Sequence, residues 1–324
     1  MSTFKPSNLC AEAAKNGRLD ILIFLHQNGC PWDKLTCEYA AEKGHLECLK
    51  YAHENGCDWD KDICDAAAEN GHLDILIFLH QNGCHWDEWT CRKAAENGHL
   101  ECLKYAHENG CPWNEKTYQN AVRENHIDCL KYVHENGCSS YGVEIELAAE
   151  MGHLECLKYL HENGCPLNEE TCVCAAIYGN LECLKYAHEK GCPWNEETCA
   201  CAAIYGNLEC LKYAHENGCP WNENGCPWNE NECFWDDLIF IEKQNENHLK
   251  CLKYAYENGC PYPEDYKSDI VETIVKKILI PKWRDSVKIR PYILHWMEDT
   301  AKRLCAETGK SRKRDYDTFV EDFM

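Results

Sequence analysis

Cysteine and histidine are the residues of this chain whose types and spacing could support metal or redox chemistry. The 324 residues include 27 cysteines and 16 histidines. A His-x3-Cys pair recurs at His26/Cys30, His53/Cys57, His80/Cys84, His107/Cys111, His134/Cys138, His161/Cys165, His188/Cys192 and His215/Cys219. Side chains four residues apart share one helix face, so each pair could supply two metal ligands. A structural zinc site needs four ligands, at about 2.0–2.3 Å from the ion.

The repetition of these pairs argues against a shared metal ion. Neighbouring copies lie 27 residues apart in sequence, and packed helices are separated by about 8–10 Å. Equivalent residues of two repeats are then too far apart to bind one ion or to form a disulfide. We therefore predict that the thiols are reduced and metal-free, that they act as small buried apolar groups, and that no cofactor is bound. A Cys/His metal-binding protein remains an alternative.

A 27-residue period organises nearly the whole chain. It is marked by Gly29, Gly56, Gly83, Gly110, Gly137, Gly164, Gly191 and Gly218, each followed by cysteine. A unit this short cannot bury a hydrophobic face alone, so it must stack on its neighbours. The period therefore predicts a helical-repeat solenoid.

Each unit has the signals of two short helices. Asp33 stands at an N-cap position, and Gly44 ends the first helix. Leu46 and Leu49 then lie on the apolar face of a second helix, which Gly56 ends. The pattern predicts about nine helix pairs between residues 10 and 259.

Only glycine or asparagine occupies the position between the two helices of a unit. Both residues tolerate left-handed backbone, so Asn125 and Asn247 are predicted to have positive φ, as Gly44 does. Tryptophan recurs three residues after the glycine that ends most of the second helices, for example at Trp32 and Trp113. We predict that each tryptophan packs on the adjacent repeat; an exposed binding strip is the alternative.

Charge and hydropathy exclude several classes of partner. The net charge is −22, and the excess of acidic residues lies in residues 1–260. An acidic array repels phosphate groups, so neither nucleic acid nor an anionic membrane is an expected partner. No apolar run is long enough to span a bilayer, and no secretory signal is expected at the first residues. We predict a cytoplasmic monomer, with nuclear import through the basic residues 310–314 as an alternative.

The stretch Ala40-Ala41-Glu42-Lys43-Gly44-His45-Leu46-Glu47 resembles an ankyrin repeat, as does Ala94-Ala95-Glu96-Asn97-Gly98-His99-Leu100-Glu101. The resemblance extends over residues 10–259 in register. Ankyrin repeats are roughly 33 residues long, whereas this unit has 27; the short form resembles repeats of large amoebal DNA viruses and some protists. The resemblance implies an all-α, ankyrin-like helical-repeat solenoid over residues 1–260, followed by a non-repeat helical tail over 261–324.

Comparison of the repeats with one another indicates where a partner would bind. No catalytic motif is visible, so the predicted function is a non-catalytic scaffold for protein–protein interaction. Positions on the first helices vary most at fixed geometry. The predicted binding residues are Trp89, Arg92, Lys93, Ile177, Tyr178, Ile204 and Tyr205. An adaptor that recruits ubiquitin-ligase or other effector machinery through residues 261–324 is the alternative.

Overall fold

The computed structural model describes residues 8–60, 62–138, 142–221 and 246–261. Within these ranges every regular element is an α-helix, which confirms the predicted all-α repeat fold. The chain divides into two compact units, Met1–Asn195 and Glu196–Met324. The predicted tail helices and the basic residues 310–314 lie outside the described ranges.

The first unit contains seven helix pairs in its described part, which we number as repeats 1 to 7. The first helices of these repeats are α1 (Asn8–Lys15), α3 (Lys34–Glu42), α5 (Ile63–Glu69), α7 (Glu88–Glu96), α9 (Glu115–Arg123), α11 (Glu144–Met151) and α13 (Glu169–Tyr178). The second helices are α2 (Leu19–Gln27), α4 (Leu46–Glu54), α6 (Leu73–Gln81), α8 (Leu100–Glu108), α10 (Ile127–Glu135), α12 (Leu154–Glu162) and α14 (Leu181–Glu189).

The second unit continues the same pattern. Repeat 8 consists of α15 (Glu196–Ile204) and α16 (Leu208–Glu216), and α17 spans Glu246–Glu257. The prediction that Asn247 has left-handed backbone is wrong, because Asn247 lies in the first turn of α17. The residues predicted to form a helix that would end at Asn247 lie outside the described ranges up to residue 245.

Polar side chains start several of the first helices. The Asp33 carboxylate accepts a hydrogen bond from the Leu35 N–H at 3.1 Å. Equivalent bonds are made by the side chains of Asp87 and Asn114. The Asn168 side chain accepts from the Thr171 N–H, one residue further into its helix. Each bond satisfies a backbone donor that the helix itself cannot pair, and loss of such a cap typically costs about 1 kcal/mol.

The tight turn between the two helices of a repeat requires left-handed backbone. Gly44 has φ +81°, and the His45 N–H beyond it donates to the carbonyl of Ala40 at 2.8 Å, closing the end of α3. The His45 ring lies over the turn of the preceding repeat, with Nε2 3.1 Å from the carbonyl oxygen of Lys15. Asn125 takes the same conformation with φ 60°, as predicted.

Small residues let the first helices pack closely on one another. In the first unit α1 packs on α3, α3 on α5, and so on to α13. Ala40 and Ala41 of α3 are fully buried between neighbours. Leu49 of α4 is fully buried as well, and burial of one leucine stabilises the fold by about 1.5–3 kcal/mol. The core is therefore a continuous layer shared between repeats.

Candidate functional site

The predicted binding residues of repeat 4 form a cluster on the surface of α7. Trp89 is 44 % exposed, and the guanidinium carbon of Arg92 lies 4.4 Å from the centre of its ring. A cation over an aromatic face is attracted by about 0.5–1 kcal/mol at exposed sites. Arg92 Nε is buried and has no hydrogen-bond partner among the described residues. Arg92 thus supports a large aromatic ring that remains open to solvent.

Lys93 connects two repeats. Its Nζ lies 3.1 Å from a carboxylate oxygen of Glu69 on α5 and 3.7 Å from one of Glu96 on α7. The hydrogen bond to Glu69 raises the pKa of Lys93. A partner that recruits Lys93 must compete with these two carboxylates, whereas the Trp89 ring has no such competitor to displace.

The other predicted residues do not join this cluster. Trp89 is the second residue of α7, whereas Ile177 and Tyr178 are the last two residues of α13. Tyr178 is 56 % exposed. In the second unit Ile204 ends α15, and Tyr205 after it is 54 % exposed. That all seven residues contact one partner remains a prediction.

The recurring tryptophans stack on the histidines that end the second helices. In repeat 4 the rings of His107 and Trp113 are parallel, with centroids 3.5 Å apart, and Trp113 meets the edge of Tyr132 of the next repeat. The same stack is present at His26/Trp32, His53/Trp59, His80/Trp86, His188/Trp194 and His215/Trp221. The predicted packing of these tryptophans between repeats is confirmed for Trp113.

A hydrogen bond to the next repeat holds many of these imidazoles. His107 Nδ1 lies 3.1 Å from the Tyr132 hydroxyl, and His26 Nδ1 lies 2.9 Å from that of Tyr51. Burial lowers the pKa of His107. The histidines at the ends of the second helices therefore pack one repeat on the next, which accounts for their regular spacing.

The alternative hypothesis, that the cysteines and histidines bind a metal ion, gains no support from the described residues. Among them no group of three or more His, Cys, Asp or Glu side chains could hold an ion. Equivalent cysteines belong to different repeats, but two cysteines 20 residues apart meet inside repeat 3, where Cys64 Sγ lies 3.0 Å from Cys84 Sγ. Sequence reasoning missed this contact because it compared only equivalent positions. The constant spacing of 20 residues was the available signal.

Two further observations bear on the class of protein. None of the helices in the described ranges is long and apolar enough to cross a membrane. No curated protein matches the chain. Among solved structures, the crystal structure of the human ASB11 ankyrin repeat domain is similar, with 21 % identity, a TM-score of 0.43, and coverage of 49 % of this chain and 84 % of that one.

Family models of ankyrin repeats match most of the array. A model of three ankyrin-repeat copies matches residues 91–171 and 145–225. A second model, of many ankyrin-repeat copies, matches residues 37–80. The matched segments together include more than half of the chain. The chain therefore belongs to the ankyrin-repeat family.

Proposed function

We propose that the chain is a non-catalytic scaffold that binds a protein partner through the surface of its first helices. Ankyrin repeats generally mediate protein–protein interaction, and ankyrin-repeat proteins are typically not enzymes. The observation that supports this surface is the Trp89 ring, exposed at 44 % and supported by Arg92. Tryptophan, tyrosine and arginine dominate the residues whose loss weakens protein interfaces most.

The charge of the chain suggests the chemistry of the partner. A net charge of −22 attracts a basic surface over several ångströms and repels an acidic one. Such attraction mainly increases the rate of association and decreases with salt. We therefore expect a partner with a basic contact surface that accommodates the Trp89 ring.

The test is selection of binding partners from a displayed protein library against the full chain, followed by affinity measurement with variants. Trp89→Ala should weaken binding of a selected partner by about 30-fold, the effect of losing roughly 2 kcal/mol at a central contact. Tyr178→Ala tests whether the surface extends to repeat 7. Added salt should weaken binding of the unmodified chain.

Phe24→Ala is the matched control, because Phe24 is 64 % exposed on α2, a second helix. Its affinity should equal that of the unmodified chain. Loss of binding in Phe24→Ala with none in Trp89→Ala would place the binding surface on the second helices.

The adaptor role of residues 261–324 concerns residues outside the described ranges and stays a prediction. The cytoplasmic location, the monomeric state and the viral or protist type of the repeat stay predictions as well.

A further inference from the structure

The thiols of Cys64 and Cys84 are in direct contact inside repeat 3. Cys64 lies on α5 and is fully buried, and Cys84 follows Gly83 after the end of α6 and is 6 % exposed. Their Sγ atoms are 3.0 Å apart. A disulfide bond is about 2.05 Å long, so the sulfurs need to approach by only about 1 Å to become bonded.

The same pair recurs in six of the eight helix pairs that the described ranges contain. The other five pairs are Cys10/Cys30, Cys37/Cys57, Cys91/Cys111, Cys172/Cys192 and Cys199/Cys219. In four of them the first thiol lies 3.8–4.0 Å from the carbonyl oxygen of the second cysteine, as shown by Cys10, Cys37, Cys91 and Cys199. Repeats 5 and 6 differ, because Tyr118 and Ile145 replace the cysteine of the first helix while Cys138 and Cys165 keep the second position. The chain thus contains its own controls.

The two thiols of a pair are chemically unequal. The hydrogen bond between them raises the pKa of Cys64 and lowers that of Cys84, and burial adds to the increase at Cys64. Cys57 shows the same lowering through its bond with Cys37. Because the thiolate is the reactive form of cysteine, Cys84, which follows the second helix, is the nucleophile of the pair in repeat 3.

Packing explains one cysteine of the pair better than the other. The Cys57 thiol donates to the carbonyl oxygen of Asp33 at 3.2 Å, and Cys111 donates to that of Asp87 at 3.1 Å. This hydrogen bond gives the second cysteine a structural role. The first position needs only an apolar group, since Ile145 fills it with 1 % exposure. A thiol there adds the capacity to bond to the sulfur beside it.

We propose that the Cys64/Cys84 pair of repeat 3 is a site of reversible oxidation, at which a peroxide converts two neighbouring thiols into a disulfide within one repeat. In repeat 3 the Cys84 thiolate attacks one oxygen of hydrogen peroxide and the O–O bond breaks, leaving a sulfenic acid on Cys84 and, after protonation, one water. Cys64 gives up its proton and attacks that sulfur, and a second water leaves. The two sulfurs lose two electrons, which the peroxide gains.

The disulfide would join α5 to the end of α6 and close a loop of 20 residues. Such a cross-link restricts the unfolded chain and so stabilises the folded repeat. In a repeat array the gain is local to the linked repeat and its neighbours. Oxidation would then stiffen repeat 3, whereas repeats 5 and 6 lack the first cysteine and cannot form the link. A small thiol such as glutathione reverses the reaction by thiol–disulfide exchange.

The experiment treats the folded, reduced full chain with hydrogen peroxide, blocks the remaining thiols under denaturing conditions, and maps non-reduced tryptic peptides by mass spectrometry. Residues 62–92 form one tryptic peptide that carries Cys64, Cys84 and Cys91. We expect it to lose two hydrogens, with fragmentation assigning the bond to Cys64 and Cys84. The oxidised chain should melt at a higher temperature than the reduced chain, and dithiothreitol should restore the original value.

The control peptide is 132–158, which carries Cys138 and Cys156 but no pair 20 residues apart. We expect at least about ten-fold less disulfide there at equal exposure. In Cys64→Ala the disulfide of peptide 62–92 should disappear and Cys84 should take up sulfinic acid. The proposal is overturned if the half-buried Cys165 oxidises while Cys64 and Cys84 remain thiols, if bonds form equally with other partners, or if oxidation lowers the melting temperature.

Discussion

Repeats 4 and 5 differ in the side chains that contact the histidine at the end of the second helix. In repeat 4, Cys91 is a small residue on the first helix, and Trp113 stacks on His107. In repeat 5, Tyr118 replaces the cysteine, and the residue at the tryptophan position is serine. The Tyr118 hydroxyl lies 2.8 Å from His134 Nδ1. A large ring on the first helix thus contacts the imidazole where the sequence lacks the tryptophan.

This exchange of partners leaves a hydroxyl without a bond. In repeat 4 the imidazole is bonded to the tyrosine of the next repeat, but in repeat 5 Tyr118 takes that place, and the Tyr159 hydroxyl is buried with no partner in the described residues. The left-handed position differs too, with Gly98 in repeat 4 and Asn125 in repeat 5. The geometry of the repeat is therefore kept while the side chains that form its contacts change.

The largest effect on stability is expected at Tyr118, where repeat 5 departs most from repeat 4. Tyr118 is 1 % exposed, so Tyr118→Ala removes a buried ring and should lower the free energy of unfolding by about 3–5 kcal/mol. Tyr118→Phe keeps the ring and loses only the bond to His134, so it should cost about 1 kcal/mol. Urea unfolding followed by circular dichroism measures both. Equal effects of the two variants would contradict a packing role for the ring.

The next largest effect on stability is expected at the left-handed turn between the two helices of a repeat. A Cβ on Gly98 would lie 2.5 Å from His126 Nδ1, and φ there is +75°. Gly98→Ala should therefore cost on the order of 2 kcal/mol, from backbone strain and displacement of the ring. Asn125→Gly should lie within about 0.5 kcal/mol of the unmodified chain or stabilise it slightly, and Asn125→Val should cost about 1–2 kcal/mol. A costly Asn125→Gly would mean that its contact with the Cys156 thiol, at 3.4 Å, matters more than the turn.

A smaller effect is expected from the pH dependence of the stacked histidine in repeat 4. Burial lowers the folded-state pKa of His107 below its ordinary value of about 6.5. The unfolded chain then binds the proton more readily, so stability falls as the pH drops below about 6.5 towards the folded-state pKa. His107→Gln should reduce the difference between the urea midpoints at pH 7 and pH 5.5. The exposed His85→Gln serves as its control, and an identical change in both variants would refute the assignment.

The smallest effect on stability is expected at the proposed binding surface. Tyr178 is 56 % exposed, so Tyr178→Ala should change the free energy of unfolding by no more than about 0.5 kcal/mol. The same should hold for Tyr205→Ala in the second unit, where that ring is 54 % exposed. Thermal melting of each variant checks this. A drop comparable with that of Tyr118→Ala would show that these tyrosines belong to the core.

Much of the fold could be predicted from local signals. Asp33 and Gly44 mark the start and end of α3, as their residue types indicated. The error at Asn247 arose because asparagine is also tolerated in the first turn of a helix, and its neighbours alone do not distinguish the two positions. The 27-residue period already placed Trp89 and Tyr178 three repeats apart. Their exposure, which a binding role requires, came only from the structure.

Local sequence signals were sufficient to predict the order of the helices in repeats 1 to 8 and most of their ends. Caps and left-handed turns depend on one to four neighbouring residues, so their signals are local and recur in most copies. The 27-residue period also determined that the helices must stack, because one unit cannot bury its apolar face.

Local sequence signals do not show which side chains meet across a repeat, because these contacts depend on how its two helices pack. The contact of Cys64 with Cys84 depends on how α5 packs against α6 and how the chain turns after Gly83. The bond of Tyr118 to His134 depends in the same way on the packing of α9 and α10. Such contacts are set by the angle and distance between two packed helices, which no spacing within one helix encodes.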